Sequence, residues 1–211
     1  MKATTVILAN GDFPKKGGAA WRLLAEARHV VCCDGAAVAY RRRFRAWPTV
    51  IVGDLDSLSD VAFGRAENAS VCVHDPDQET NDLEKAIAYC ASRGWKRPVI
   101  VGASGKREDH MIGNVFRALA AGLTVVTDAG VFEPVCGCRT FRVRKDAGVS
   151  IFAPDPMTRM TSRGLRWPLD GVCFDSLYRA TLNRTSAPTF TVTSDRPVLV
   201  YIESRPLPSS P

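Results

Sequence analysis

Residues 49–57 read Thr49-Val50-Ile51-Val52-Gly53-Asp54-Leu55-Asp56-Ser57. An apolar, β-branched run without polar alternation enters a glycine and then a pair of aspartates. Such a run is the pattern of a strand covered on both faces, as in a parallel sheet packed between helices. The same texture recurs at Thr5–Asn10, His29–Asp34, Ser70–Asp75, Pro98–Ala103 and Thr124–Asp128, with helical patterns between at Gly18–Ala27, Ala36–Arg43, Asn81–Arg93 and Asp109–Ala121. In the third of these, Leu83, Ile87, Cys90 and Ala91 share one face, and Gly94 is placed to stop the helix. Strands alternating with helices predict an α/β domain, a Rossmann-like parallel sheet with flanking helices, over residues 1–130.

Beyond Gly130 the texture changes. Short alternating segments separated by Pro, Gly and Asp replace the helices, with strand candidates at Arg139–Arg144, Val149–Ala153, Val172–Phe174, Thr189–Thr193 and Val198–Glu203. Antiparallel strands at that spacing predict an all-β C-terminal sandwich over 131–205. The Pro-rich end, 206–211, is expected to be a disordered tail.

Composition narrows the function. The 211 residues carry a net charge of +6, but Arg41, Arg42, Arg43 and Arg45 form one short basic run with no interleaved aromatics, so nucleic acid is not an expected partner. Anionic phosphate substrates account for the excess equally well. Seven cysteines without regular spacing do not make a secreted disulfide framework. Cys32 and Cys33 sit inside an apolar run as small core residues, and Cys136-x-Cys138 has no second Cys/His pair to complete a metal site. Neither a signal h-region nor a membrane-length apolar stretch is present, so a soluble, cytoplasmic chain with no membrane partner is expected.

The candidate chemistry lies where the strands end. Asp34, Asp54, Asp75 and Asp128 each close or follow a predicted strand. In open α/β sheets ligands bind at the carboxyl ends of the strands, so these acids converge on one crevice. Asp54 and Asp56, two residues apart after Gly53, suit a hard cation that shares its remaining positions with water and phosphate, although an Asx-turn or helix cap has the same local pattern. Asp82, just after Asn81 or Thr80 as helix cap, reads either as a helix-dipole carboxylate or as a third acid facing the crevice. The loop Gly102-Ala103-Ser104-Gly105-Lys106-Arg107 offers exposed backbone N–H groups, a helix N-terminus and two cations, a set suited to polyphosphate with Ser104, Lys106 and Arg107 on the nucleotide, although a plain connection from strand to helix has the same local pattern.

Five strings in order, Ile7-Leu8-Ala9-Asn10-Gly11, Asp34-Gly35-Ala36-Ala37, Gly53-Asp54-Leu55-Asp56-Ser57, Asp77-Gln78-Glu79-Thr80-Asn81-Asp82 and Arg107-Glu108-Asp109-His110, together resemble the thiamine pyrophosphokinase family. They cover most of the first 115 residues. The resemblance implies an N-terminal α/β domain that binds nucleotide and metal, and a C-terminal β-sandwich that binds thiamine and dimerises. It implies transfer of the terminal pyrophosphoryl group of ATP to the thiamine hydroxyl, giving thiamine diphosphate and AMP. Carried over residue by residue, Asp54, Asp56 and Asp82 hold Mg²⁺, and Asp34, Gln78, Asn81, Arg107 and Asp109 line the nucleotide and reaction site. Asp54, Asp56, Asp82, Arg107 and Asp109 are then the catalytic set.

In the C-terminal part, Gly164-Leu165-Arg166-Trp167-Pro168-Leu169 resembles the family's G-L-x-W-x-L segment. There the tryptophan stacks on thiamine from the partner subunit of a homodimer; read without the family, Trp167 is more ordinarily an anchor of a sandwich core, and the resemblance reverses that preference. Ser186 matches the serine of the family's S-N segment, but Ala187 stands where the family has Asn. Asp34, Trp167 and Ser186 are the expected acceptor-binding residues. Two other functions fit the same scaffold: pyrophosphoryl transfer to another hydroxymethyl heterocycle such as a pterin, and a non-catalytic sensor of nucleotide or thiamine diphosphate.

Overall fold

A computed structural model describes residues 5–56, 64, 66–77 and 79–204. The chain divides into two compact units between Asp128 and Ala129. Together they form a mixed α/β protein with few helices and a large complement of sheet.

The first unit contains strands β1 (Thr5–Leu8), β2 (His29–Cys33), β3 (Val50–Gly53), β4 (Val71–His74), β5 (Val99–Val101) and β6 (Val125–Val126). Its helices are α1 (Ala19–Glu26), α2 (Ala36–Phe44), α3 (Asp82–Ser92) and α4 (Glu108–Ala120). All pairings are parallel, in the order β6-β5-β1-β2-β3-β4. Val6, Ile7, Val31, Ile51 and Ile100 are almost completely buried, as their unbroken apolar runs require. β4 departs from that pattern: it is the edge strand, and Val71 is 53% exposed.

The order also sets a position. Strands β1 to β4 step outward in one direction, and β5 then returns to the other side of β1. The order reverses between β1 and β5, whose following loops stay joined, the Gly11 N–H donating to the Gly102 carbonyl and the Asp12 N–H to the Ser104 carbonyl, both at 2.7 Å; the carboxyl ends at such a reversal are where ligands bind in open α/β sheets.

α3 begins where the sequence placed a cap. Asn81 accepts the backbone N–H of Glu84 at 2.9 Å, while Glu84 Oε2 accepts the N–H of Asn81 at 3.2 Å. This reciprocal capping box satisfies two otherwise unpaired donors. Leu83, Ala86 and Cys90 are the buried apolar residues, and Gly94, at φ +68°, follows the helix end.

The second unit is all antiparallel: β7 (Gly130–Arg142), β8 (Gly148–Phe152), β9 (Met160–Arg163), β10 (Ala180–Arg184) and β11 (Thr189–Glu203). β11 pairs with β7, β8 and β9, and β10 pairs with β8. Phe141 and Phe190 stack at 4.8 Å within a core that includes Ile151, Phe174, Val192 and Val198.

Several strand expectations change here. Of Arg139–Arg144, only Arg139 to Arg142 is strand, the end of a 13-residue strand whose earlier part is disguised by Pro134 and Gly137. Thr189–Thr193 and Val198–Glu203 are one strand, joined through a shift of register between Ser194 and Val198. Val172–Phe174 is not a strand; Phe174 is buried from a loop, and apolarity there reflects a plug. β9 and β10 were missed because Met160-Thr161-Ser162-Arg163 and Ala180-Thr181-Leu182-Asn183-Arg184 are too polar to announce strands. Residues 206–211 lie outside the described residues.

Candidate active site

The site starts with the way β2 and β3 end. Past β2, the N–H of Asp34 donates to the Val52 carbonyl at 2.9 Å, which carries the parallel register one residue beyond the strand. Asp34 turns at φ 38°, and its own carbonyl accepts the N–H of Ala37 as α2 begins. The turn points a carboxylate inward: Asp34 is 3% exposed, and among the described residues its Oδ1 has no hydrogen-bond partner. A buried unpaired acceptor is costly, so it indicates a group normally satisfied by something bound.

β3 brings in the next pair. A Cβ on Gly53 would lie 2.8 Å from the Asp34 Cβ and 3.2 Å from Asp82 Oδ1, so only glycine lets these segments approach so closely. Immediately after it, Asp54 and Asp56 each bring an oxygen within 4.8 Å of the other and of an Asp34 oxygen. Three carboxylates this close repel unless a cation lies among them, and an all-oxygen donor set suits a hard divalent ion. The group is thus Asp34, Asp54 and Asp56, with the sequence's third ligand, Asp82, beside it at the first position of α3. Burial raises the Asp82 pKa most, followed by the charges of Asp34 and Asp54, while Lys85 pulls it down.

Cys33 ties these elements together. Its thiol donates to the Asp82 carbonyl at 3.5 Å, linking the end of β2 to the start of α3. Burial pushes the Cys33 pKa well up, so it remains a thiol.

Where the strand order reverses, a cavity of about 340 Å³ is lined by Asn10, Gly11, Asn81, Asp82, Lys106 and Arg107 among others. Lys106 Nζ donates to the backbone and side-chain oxygens of Asn10 at 2.9 and 3.0 Å. Arg107 holds Asp109 through two hydrogen bonds of 3.1 and 2.6 Å, and both side chains are mostly exposed. That contact lowers the Asp109 pKa to about 2. Ser104 accepts the N–H of Asp12 through its carbonyl, which shapes the loop, and its side chain is half-buried. A second cavity, about 360 Å³, lies against Asp54, Asp77, Thr80, Asn81, Asp82 and Lys85. Gln78 lies outside the described residues.

In the second unit Trp167 is 53% exposed, which removes the alternative of a core anchor. Buried Asn183 fixes its main chain: the amide donates to the Trp167 carbonyl at 2.7 Å, and the oxygen accepts the Trp167 N–H at 3.2 Å. Arg166 lies over the indole at 5.6 Å and pairs with Asp146, which Arg184 also grips. Trp167 borders a cavity of about 420 Å³ within this unit. Ser186 is exposed, and its N–H donates to the Gly164 carbonyl, which keeps it beside the Gly164–Leu169 segment.

Sequence reasoning brought Asp34 to the same crevice as Asp54 but did not count it among the metal ligands, nor did it single out Cys33 or Lys85. Asp34 carried a signal, since it ends the strand adjacent to β3. Cys33 and Lys85 carried none, because an apolar-run cysteine and a helical lysine are ordinary.

Clustered carboxylates beside a cavity lined by Lys106 and Arg107, at the carboxyl ends of a parallel sheet, make an arrangement suited to a divalent cation and phosphate groups. Residues 20–126 match the family model for the thiamin pyrophosphokinase catalytic domain, and residues 130–201 match that family's substrate-binding domain. The chain belongs to the thiamin pyrophosphokinase family. A curated relative, thiamin pyrophosphokinase 1 of Caenorhabditis elegans, is 33% identical over 116 residues, which is 51% of this chain and 46% of the worm protein. The matched stretch thus spans just under half of that relative.

Solved structures share the fold. A thiamin pyrophosphokinase family protein from Enterococcus faecalis superposes with a TM-score of 0.77 at 14% identity, covering 96% of this chain and 99% of the other. Thiamin pyrophosphokinase from Candida albicans gives 0.76 at 15% identity, covering 94% and 89%.

Proposed function

We propose that this chain is an ATP-dependent thiamine diphosphokinase: it transfers the pyrophosphoryl group of ATP to the thiamine hydroxyl and releases thiamine diphosphate and AMP. Family membership across both units supports the pair of substrates. The observation that carries the chemistry is the grouping of Asp34, Asp54 and Asp56, one oxygen of each within 4.8 Å of the others, around an Asp34 that is buried with its Oδ1 unpartnered among the described residues. That donor set fits Mg²⁺, held by Asp54, Asp56 and Asp82 as the sequence implies, with Asp34 added by the geometry. When bound, the ion supplies positive charge to the phosphate oxygens and aligns the displacement. Mg²⁺ usually takes one or two protein carboxylates directly, so the remaining acids act through water.

The protein's own groups perform the rest. Asn10, Asn81 and Lys106 border the nucleotide cavity; Ser104 shapes its loop, and Gln78 is assigned to it by family resemblance alone. Arg107, oriented by Asp109, stabilises charge on the group in transit. Trp167 receives the thiamine ring, its Arg166-covered side leaving the opposite face for the cationic heterocycle. Ser186 lies at the acceptor end. In this reading the first unit is a Rossmann-like catalytic domain, the second a β-sandwich that binds thiamine and dimerises, and the enzyme a cytoplasmic homodimer. Among the described residues no helix is long and apolar enough to cross a membrane.

Purified protein incubated with ATP, Mg²⁺ and thiamine, with products separated chromatographically, tests this reading. AMP and thiamine diphosphate in equal amounts are expected over many turnovers. ADP with the monophosphate would refute the assigned reaction, and no product beyond one equivalent would favour a sensor.

A further inference from the structure

Lysine on a helix ordinarily keeps its ammonium in water, because desolvating a charge is costly. Lys85 does not: it is 7% exposed and is one of the buried residues of α3, with Leu83, Ala86 and Cys90. Among the described residues its ammonium makes one hydrogen bond, to the Asp75 carbonyl at 2.7 Å. The Asp75 N–H in turn donates to the Gly53 carbonyl at 2.9 Å, immediately before Asp54. Lys85 thus joins α3 to the ends of β4 and β3, the two strands that lead into the acidic segments.

Its electrostatic setting is equally particular. Asp82 precedes it by three residues, a spacing that puts the two side chains on neighbouring positions of the helix surface. Lys85 lines the 360 Å³ cavity together with Asp54, Asp77 and Asp82. Both Asp77 and Asp82 feel its positive charge. A neutral residue of similar length would satisfy packing here, so packing alone does not account for a buried ammonium.

We infer that Lys85 is the resident counter-ion of the carboxylate site, a fixed positive charge that holds Asp54, Asp77 and Asp82 together when no metal is bound and tempers metal affinity when one is. The inference rests on the proposed metal role of that site. It predicts a trade between the two cations. Without Lys85 the acids repel more strongly in the metal-free protein, and a divalent ion gains because a nearby positive charge is gone.

Lys85→Met and Lys85→Arg, each compared with the unchanged chain by thermal melting in EDTA and in a series of Mg²⁺ and Mn²⁺ concentrations, give the test. The melting temperature of K85M in EDTA should fall, and its increase on adding metal should exceed that of the unchanged chain, because tighter binding gives larger stabilisation by mass action. Mn²⁺ titration followed by electron paramagnetic resonance should show K85M binding about fivefold more tightly at low ionic strength, with K85R close to the unchanged chain. If K85M does not fold in EDTA, refolding it in Mn²⁺ is expected to succeed, and failure in both media overturns the inference. Equal metal-induced increments in K85M and the unchanged chain would mean that Lys85 only packs. If the unchanged chain gains nothing from either metal, the metal reading fails and takes this inference with it.

Discussion

The two units hold their functional side chains by different means. In the first, Asp34 continues a buried parallel strand through its own N–H to the Val52 carbonyl, and Asp54 directly follows Gly53, whose carbonyl accepts the Asp75 N–H, so both stand on backbone hydrogen bonds that extend the sheet. In the second, Trp167 stands outside the core and is fixed by a side chain, Asn183, that pairs with its main chain as a neighbouring strand would. A strand end is rigid because the whole sheet must move with it. A single buried amide makes an equally definite contact but concentrates the constraint in one residue, so one substitution can release it.

The sharpest way to break that contrast is to change chemistry in the first unit without touching its frame. Asp54→Asn is expected to leave the melting temperature within a few degrees and lower turnover by about 100-fold or more, the loss of several kcal/mol of charge stabilisation. Steady-state AMP release and a melting curve on the same sample check it; near-normal turnover would remove Asp54 from the metal site.

In the second unit the frame and the chemistry are separable. Trp167→Ala is expected to raise the KM for thiamine about tenfold, as loss of a stacking and cation–π contact of roughly 1–2 kcal/mol predicts. Its stability should hardly change, since the ring is half outside. Asn183→Ala should raise KM comparably but also cost about 1–3 kcal/mol in stability, because it leaves Trp167 main-chain groups unpaired. Urea midpoints and thiamine KM measured together distinguish the two; an unchanged KM in N183A would show that Trp167 needs no such clamp.

The smallest expected effect is a pH dependence that belongs to the first unit alone. Asp82 has its folded pKa raised, so the native metal-free protein holds its proton more tightly than the unfolded chain. Its contribution is therefore present at low pH and lost as pH rises from the ordinary aspartate range through the raised folded value. Urea midpoints in EDTA should include this downward component, and Asp82→Asn should remove it. A midpoint-against-pH curve identical in D82N and the unchanged chain would show that Asp82 feels no such strain.

The same contrast explains what the sequence disclosed. The first unit was legible because its strands are unbroken apolar runs and its acids are punctuation at their ends; Thr49–Asp54 contains both signals. Asn81 announced α3 because the capping chemistry is local. That Asp34 and Asp54 share a crevice was legible, but the approach of Asp34, Asp54 and Asp56 oxygens to within 4.8 Å of one another was not, since it depends on β2 and β3 being neighbours and on Gly53 allowing their close approach. In the second unit polar residues form β9 and β10, a proline lies within β7, and a buried phenylalanine comes from a loop. Periodicity therefore named some strands and missed others. Trp167 was visible as a motif residue, whereas Asn183 acts only through the partner that folding brings to it.

The buried thiol of Cys33 has a practical consequence for working with this chain. It borders the 340 Å³ cavity, yet it is protonated and committed to the Asp82 carbonyl, so reagents that require a thiolate find little to attack there. Cys136, Cys138 and Cys173 are exposed and meet such reagents first. Fluorophores or spin labels attached through sulfur will accordingly report from the second unit, leaving the carboxylate centre unmarked and open to its ligands.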